Sequence, residues 1–244
     1  EFAIQTSGVY EDVLAAALFS ESRGLRAIAL PDHYLMALDE ERAKTTPAPD
    51  ALAQLAGLAR ETRDLQLVVL VSPITFRHPA VLVKTAITID RMSGGRFTLG
   101  VGTGWMDREH EVFGLAYPPM AERFQMLEEA LAYARAMLSD EPLGFHGDHY
   151  HLEAFPIEPR PIGRVKLLVG GTVAGSGTHQ RWHRSTRWWS RREAFSPPSV
   201  WNLSRVAFRR RRPGNTDDES GDTLIVETGR RRRIATLDRF HTEG

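Results

Sequence analysis

Two adjacent residues carry the side chains in this chain that are best suited to proton transfer. Asp32 and His33 follow the apolar run Ala27-Ile-Ala-Leu30 and Pro31. An imidazole exchanges a proton near neutral pH, and a neighbouring carboxylate can orient its ring. Asp32-His33 is therefore a candidate catalytic pair. The alternative is a loop in which Asp32 caps the next segment beside a half-exposed His33.

A glycine-rich run offers a candidate binding surface. Gly100, Gly102 and Gly104 close the apolar segment that begins at Phe97, and Trp105 follows them. Glycine lets a ligand approach the backbone closely, so this run predicts one wall of a pocket for a flat cofactor. Packing of Trp105 in the core is the alternative.

The apolar spacing predicts the elements that position these residues. Period-2 and continuous apolar runs alternate with segments of helical spacing, which is typical of a parallel α/β fold. In an α/β barrel, binding and catalytic residues lie where the strands end, so the candidate residues are expected at one edge. The predicted strands are 2–5, 27–30, 65–71, a short one between the Gly94-Gly95 turn and the glycine-rich run, and 164–171. The predicted helices are 11–23, one capped by Asp50, 79–91 and 121–138.

A second cluster of polar residues favours structure over chemistry. His146, His149 and His151 lie in a predicted hairpin that turns at Gly147-Asp148. Without a supporting carboxylate cluster this pattern indicates hairpin packing, and no metal site is predicted. The remaining acidic residues of this region are assigned to a solvated helix face or to its caps; they are Glu109, Glu111, Glu122, Glu128 and Glu129.

Bulk composition excludes several classes of function. The 244 residues have a formal net charge of zero, so no general attraction to nucleic acid is expected. Cysteine is absent, which excludes disulfides, thiolate metal sites and cysteine nucleophiles and favours a cytoplasmic location. No apolar window is long enough for a membrane span, and no basic-then-apolar leader begins the sequence.

Three segments together resemble the luciferase-like monooxygenase family, which consists of flavin- or deazaflavin-dependent (β/α)8 TIM barrels. They are residues 90–105, Glu109-His-Glu-Val-Phe-Gly114 and Pro118-Pro-Met-Ala-Glu-Arg-Phe124. The resemblance implies an oxidoreductase that transfers hydride between coenzyme F420 and a small organic substrate, with Asp32 and His33 beside the cofactor ring. An FMN-dependent monooxygenase that uses dioxygen is the open alternative. Family members are commonly homodimers.

The resemblance also implies the cofactor-binding positions. A non-prolyl cis peptide behind the ring would correspond to the Leu70–Val71 bond, and Gly170-Gly-Thr172 is similar to the family's phosphate-binding turn. Some sugar-phosphate dehydrogenases of the family have a catalytic Glu where Trp105 stands, so that substrate is not expected. The implied set is Leu70, Val71 and Ser72, then Gly102, Thr103, Gly104 and Trp105, then Gly170, Gly171 and Thr172.

The sequence changes character from about residue 173. The segment 173–244 contains four of the five Trp and two runs of Arg, at 209–212 and 230–233, without apolar periodicity. It is interpreted as an out-of-frame segment, because a shifted reading of 178–187 permits a string similar to the family's helix after the fifth strand. A disordered tail and a nucleic-acid-binding arm are the alternatives. We therefore expect an incomplete barrel, strands one to five, over residues 1–172, and an inactive remnant is a third functional possibility.

Overall fold

The computed structural model describes residues 3–36 and 39–170 and two later strands, Asp222–Thr228 and Arg231–Leu237. Backbone contacts divide the chain into two units, Glu1–Gly171 and Thr172–Gly244. In the second unit the described strands pair as an antiparallel hairpin. Apart from these two strands, the segment 173–244 that we interpret as out of frame lies outside the described residues.

A parallel five-stranded sheet forms the centre of the first unit. Its neighbours follow chain order, with only an antiparallel hairpin inserted before the last strand. This is the arrangement expected for the first five strands of a (β/α) barrel, so the predicted fold class is confirmed. The sheet consists of β1 (Ala3–Gln5), β2 (Ala27–Leu30), β3 (Gln66–Pro73), β4 (Phe97–Gly102) and β7 (Lys166–Val169), and the hairpin of β5 (Phe145–His146) and β6 (His151–Leu152).

In the described part of the first unit six helices accompany these strands, and several begin or end where the sequence predicts. Asp50 accepts a hydrogen bond from the Ala53 N–H at the start of α3, and Gly94 adopts the left-handed conformation that ends α4. Helix α5 was not predicted as an element of its own. The helices are α1 (Tyr10–Ser22), α2 (Glu40–Ala43), α3 (Ala51–Glu61), α4 (Pro79–Ser93), α5 (Asp107–Phe113) and α6 (Met120–Leu138).

The core lies where the strands are covered on both faces. Ile28, Leu67 and Leu99, on three successive strands of the sheet, are almost completely buried. Burying one such side chain stabilises a fold by about 1.5–3 kcal/mol, so these strands anchor the unit. Among the residues described, no helix is both long enough and apolar enough to cross a bilayer.

The third strand is irregular near its carboxyl end. Its pairing with β4 changes register between Val69 and Ser72, and the Leu70–Val71 peptide is cis, as the resemblance implied. The bulge is accommodated by two glycines, one in β4 and one just after β7. A Cβ atom at Gly100 would clash with the Val69 carbonyl oxygen, and one at Gly170 would lie 2.6 Å from Val71 Cγ1. Larger residues at these two positions would displace the bulge.

Candidate active site

The predicted site residues that the structure describes lie at the carboxyl edge of the sheet. Asp32 and His33 follow β2, Ser72 lies near the end of β3, and Trp105 follows β4. Direct contacts join them across the edge, since the His33 and Trp105 rings meet edge-on with centroids 5.5 Å apart. Gly170, after β7, donates its N–H to the Val101 carbonyl of β4. Gly171 and Thr172 lie outside the described residues.

His33 is held by a carboxylate that the sequence did not single out. Its Nδ1 lies 2.9 Å from Glu109 Oε2, and the Glu109 side chain is 1 % exposed whereas that of His33 is 17 % exposed. The other oxygen of Glu109 accepts the backbone N–H groups of Tyr34 at 2.5 Å and Leu35 at 2.9 Å. The assignment of Glu109 to a solvated helix face or cap is therefore wrong. The short helix α5 turns Glu109 inward and leaves Glu111 exposed.

Asp32 has a different partner. Its side chain is fully buried, and its two oxygens lie 2.5 Å and 3.2 Å from the guanidinium nitrogens of Arg77. Both oxygens of Asp32 therefore bond Arg77 instead of His33, and the catalytic role of Asp32 stays a prediction. A buried carboxylate needs a paired and hydrogen-bonded cation, and Arg77 supplies it from the loop after β3. Arg77 also donates to Ser72 Oγ at 3.1 Å and to Asp50.

The charges around Arg77 fix the protonation states of this cluster. Burial tends to lower the pKa of Arg77, but the hydrogen bond and charge of Asp32 and the charge of Asp50 outweigh it and raise that pKa. Burial raises the pKa of Asp50, yet the N–H of Ala53 and the charge of Arg77 bring it below its usual value. Burial, together with the charges of Asp32 and Asp50, raises the pKa of Tyr34 to about 12. At neutral pH the cluster therefore holds an arginine cation, an Asp50 carboxylate and a neutral phenol.

Hydrogen bonds from Arg123 of α6 hold the glycine turn after β4, which consists of Gly102, Thr103 and Gly104. The buried guanidinium donates to the carbonyls of Thr103 at 3.2 Å and Gly104 at 2.6 Å, and it lies 3.8 Å from the centroid of the Tyr117 ring. Gly104 has φ +77, and a Cβ atom there would lie 3.3 Å from Thr75 Oγ1. The turn therefore requires glycine at this position. Arg123 was not singled out, although it lies in one of the segments that carried the resemblance.

Trp105 does not pack in the core. It is 59 % exposed at the carboxyl edge, with His33 against its ring. The core alternative is therefore wrong for this residue. The expected bare backbone needs a correction as well, because the space over Gly100 and Gly102 is filled by the side chain of Val71. The glycines make room for the bulge of β3, and the bulge presents Val71 at the edge.

A second histidine joins two elements at this edge by hydrogen bonds. His110 is buried, and its Nδ1 donates to the Met106 carbonyl at 2.8 Å, because a carbonyl oxygen only accepts. Its Nε2 lies 2.7 Å from Thr75 Oγ1. In the neutral ring the Thr75 hydroxyl therefore donates to Nε2. His110 thus ties α5 to the loop after β3 and supports the Gly104 turn, whose Cβ would lie 3.7 Å from the ring.

The histidines of the hairpin have structural roles. His146 and His151 pack ring against ring with centroids 4.2 Å apart, and His151 bonds the exposed Glu153 at 2.7 Å. Glu129 of α6 accepts three backbone N–H groups of the hairpin, those of residues 148 to 150. Within the part of the chain that the structure describes, no three His, Cys, Asp or Glu side chains are placed to hold a metal ion.

Comparison with known proteins places these observations in context. Residues 2–201 match the family described as luciferase-like monooxygenase, so the match continues past residue 172, where we expected the resemblance to end. An F420-dependent glucose-6-phosphate dehydrogenase of Amycolatopsis mediterranei (strain U-32) is 33 % identical over 165 residues, which cover 66 % of this chain and 48 % of that protein. The chain spans about half the length of the curated relatives it matches.

Solved structures share the fold. An F420-dependent secondary alcohol dehydrogenase in complex with an F420-acetone adduct aligns with a TM-score of 0.62 and 24 % identity, covering 69 % of this chain and 51 % of that one. The oxygenating constituent of 3,6-diketocamphane monooxygenase of Pseudomonas putida, in complex with FMN, aligns with a TM-score of 0.53 and 18 % identity, covering 66 % and 46 %.

Proposed function

Since the chain belongs to the luciferase-like monooxygenase family, we propose that it provides the first five strands of an oxidoreductase that transfers hydride between coenzyme F420 and a small organic substrate. One observation carries this proposal. An imidazole anchored at Nδ1 lies beside an exposed indole at the carboxyl edge, where α/β barrels bind ligands. The F420 dependence of the curated relatives supports the choice of cofactor.

The residues present fit a flat ring. Val71 projects from the β3 bulge over the glycines of β4. Trp105, which follows the glycine turn, offers an exposed aromatic surface. Leu70, Val71 and Ser72 would support the ring, Gly102, Thr103, Gly104 and Trp105 would flank it, and Gly170 with Gly171 and Thr172 would meet the phosphate. Backbone N–H groups of such a turn suit an anion.

The proposed chemistry divides between cofactor and protein. When bound, F420 supplies the ring carbon that accepts or releases hydride. His33 takes the proton that a substrate hydroxyl loses when its hydride leaves, and it returns that proton in the reverse direction. Nδ1 is engaged by Glu109, so Nε2 is the ring nitrogen that remains for this exchange. Asp32 acts at a distance, by fixing Arg77 and the loop around it.

The alternative is an FMN-dependent monooxygenase. The structural likeness to the FMN-bound oxygenase supports it, since both cofactors are tricyclic rings with a phosphate-bearing tail and the same edge would receive either. We favour F420 because of Asp32-His33 and because the relatives named for F420 include the dehydrogenase that matches 165 residues. We also propose a homodimer, which light scattering of the purified chain would test.

Titration of the purified full chain distinguishes these proposals. F420 and FMN are added separately, and their fluorescence and absorbance are followed. Saturable binding of F420 supports the first proposal, saturable binding of FMN alone supports the second, and binding of neither leaves the inactive remnant. Trp105→Ala should weaken binding about tenfold, because an aromatic contact and its buried area contribute about 1–2 kcal/mol. Phe155→Ala, at a similarly exposed aromatic residue, is the matched control and should bind normally.

The segment from residue 173 has its own test. Resequencing the gene around codons 172–180 should reveal an inserted or deleted base if the segment is out of frame. The restored frame should then continue with further strand and helix patterns. An unchanged gene sequence would contradict this proposal and leave the Arg- and Trp-rich segment as the native one.

A further inference from the structure

Glu109 connects two strand ends that are not neighbours in the sheet. It belongs to α5, which follows β4, and it binds the loop after β2, with β3 between them. We infer that Glu109 is a positioning residue, which fixes both the orientation and the tautomer of His33 so that Nε2 faces the reaction as the proton acceptor. The inference rests on the proposed role of His33 for its chemical meaning.

Three hydrogen-bond partners surround the carboxyl group of Glu109. Oε1 accepts two backbone N–H groups, from Tyr34 and Leu35, and neither donor can act as an acceptor. Oε2 faces His33 Nδ1 at 2.9 Å. A carboxylate that accepts at both oxygens takes its third bond from a hydrogen on His33 Nδ1, and the inference assigns the ring proton there. The neutral ring then has its free lone pair on Nε2.

Burial makes this arrangement selective. Water does not reach a carboxylate that is 1 % exposed, so it cannot replace the Nδ1–H bond. A hydrogen bond to a charged group contributes about 1.5–3 kcal/mol, which corresponds to a preference for the Nδ1–H tautomer of about tenfold or more. Free histidine has no such constraint, and the opposite tautomer would place two unshielded lone pairs against each other.

The carboxylate next to His33 in the sequence is already engaged. Both oxygens of Asp32 are bound by Arg77. The two backbone contacts of Glu109 also fix the path of residues 33 to 35. A single side chain therefore controls where the imidazole lies and which nitrogen it presents.

The tautomer is measurable without any cofactor. Long-range ¹H–¹⁵N correlation spectra of the full chain, labelled with [¹⁵N]histidine, distinguish protonated from unprotonated ring nitrogens, and His33→Gln identifies the His33 signals by their loss. We expect a protonated Nδ1 and an unprotonated Nε2 in the neutral ring. A predominant Nε2–H tautomer in the unaltered protein would overturn the inference, and this measurement requires no variant of Glu109 to fold.

Glu109→Gln gives the sharper result. The amide oxygen replaces Oε1 in accepting from Tyr34 and Leu35, which turns the NH₂ group towards His33. That group donates to Nδ1 and forces the proton onto Nε2, so the tautomer should invert while the loop keeps its place. Glu111→Gln, on the exposed face of the same helix, removes only a surface pair with Arg108 and should leave the His33 spectrum unchanged.

Activity adds a second, separable readout. If hydride transfer to F420 is detected, Glu109→Gln should lower kcat by about 100-fold or more with little change in KM, because loss of a positioned base costs this much. An unchanged tautomer in Glu109→Gln would contradict the inference even if the enzyme is active. Conversely, a correct tautomer with no binding of F420 or FMN would refute the proposed function and leave the geometry of His33 intact.

Discussion

Charged side chains have different partners at the two edges of the sheet. At the amino edge, the described contacts of Arg96, Glu21 and Asp90 are mostly with the backbone: Arg96 donates to the carbonyls of Ala59, Thr62 and Leu65, and the two carboxylates accept backbone N–H groups. At the carboxyl edge, Asp32 pairs with Arg77 and Glu109 pairs with His33. Two residues of the carboxyl edge also bond the backbone: Arg123 donates to the carbonyls of the glycine turn, and Glu109 accepts two backbone N–H groups.

The two kinds of partner, backbone groups and side chains, have different consequences for stability and for chemistry. A charge bonded to backbone groups closes a loop and satisfies main-chain atoms that would otherwise be buried without partners. A charge bonded to another side chain fixes that side chain in one geometry, which is what a reacting group needs. The contacts at the carboxyl edge are therefore of the kind that the proposed site needs, and those at the amino edge support the fold.

The largest effect should come from breaking the Asp32–Arg77 pair. Arg77→Met leaves a fully buried carboxylate without its cation, which should lower the free energy of unfolding by about 3–5 kcal/mol, as measured by urea denaturation. Arg108→Met, which breaks an exposed pair with Glu111, is the control and should cost at most about 1 kcal/mol. Equal losses in the two variants would show that the buried pair contributes no more to stability than the exposed pair does.

Arg96→Met tests the amino edge. It removes the donors to several carbonyls near the amino ends of β3 and β4. Because an unsatisfied buried carbonyl costs about 1–3 kcal/mol, the free energy of unfolding should fall by about 2 kcal/mol. Cofactor affinity of the folded fraction should not change. A weakened affinity would show that the two edges are energetically coupled and would remove the distinction drawn between them.

Gly104→Ala and Gly24→Ala form a matched pair across the two edges. Both residues have a left-handed backbone, with φ +77 and +69, so each substitution should cost about 1–2 kcal/mol in unfolding free energy. A Cβ atom at Gly24 meets nothing within 4 Å, whereas one at Gly104 meets Thr75 Oγ1 at 3.3 Å. Only Gly104→Ala should also weaken cofactor binding. If Gly24→Ala weakens it equally, the turn after β4 is not part of the site.

The smallest expected effect is on how the free energy of unfolding depends on pH. The pKa of Asp50 lies below its usual value of 3.8, so the folded state binds its proton less readily than the unfolded chain does. The stability contributed by its charge is present above about pH 4 and is lost as the pH falls through the folded-state pKa. Asp50→Asn keeps an N-cap acceptor for Ala53 but removes the charge, so its unfolding free energy should fall less steeply below pH 5. An unchanged slope would contradict the assignment.

Much of the fold could be predicted because its signals are local. The strand at 27–30, the N-cap at Asp50 and the hairpin over 145–152 each depend on residues a few positions apart, and all three are confirmed. The hairpin turns at Asp148-His149, one position later than predicted. The cis peptide at Leu70–Val71 came from the family resemblance instead. Helix α5 escaped prediction because a helix of two turns has too few positions for an apolar period to appear.

The sequence by itself determined the order of the elements and the edge at which Asp32, His33 and the glycine turn would lie, because parallel strands place their carboxyl ends together. Only the tertiary structure decided which carboxylate serves His33. Adjacent residues leaving a strand direct their side chains to different sides, so Asp32 meets Arg77 while His33 meets Glu109, a residue 76 positions away. Packing creates such a pair, and no pattern within a short window of sequence reports it.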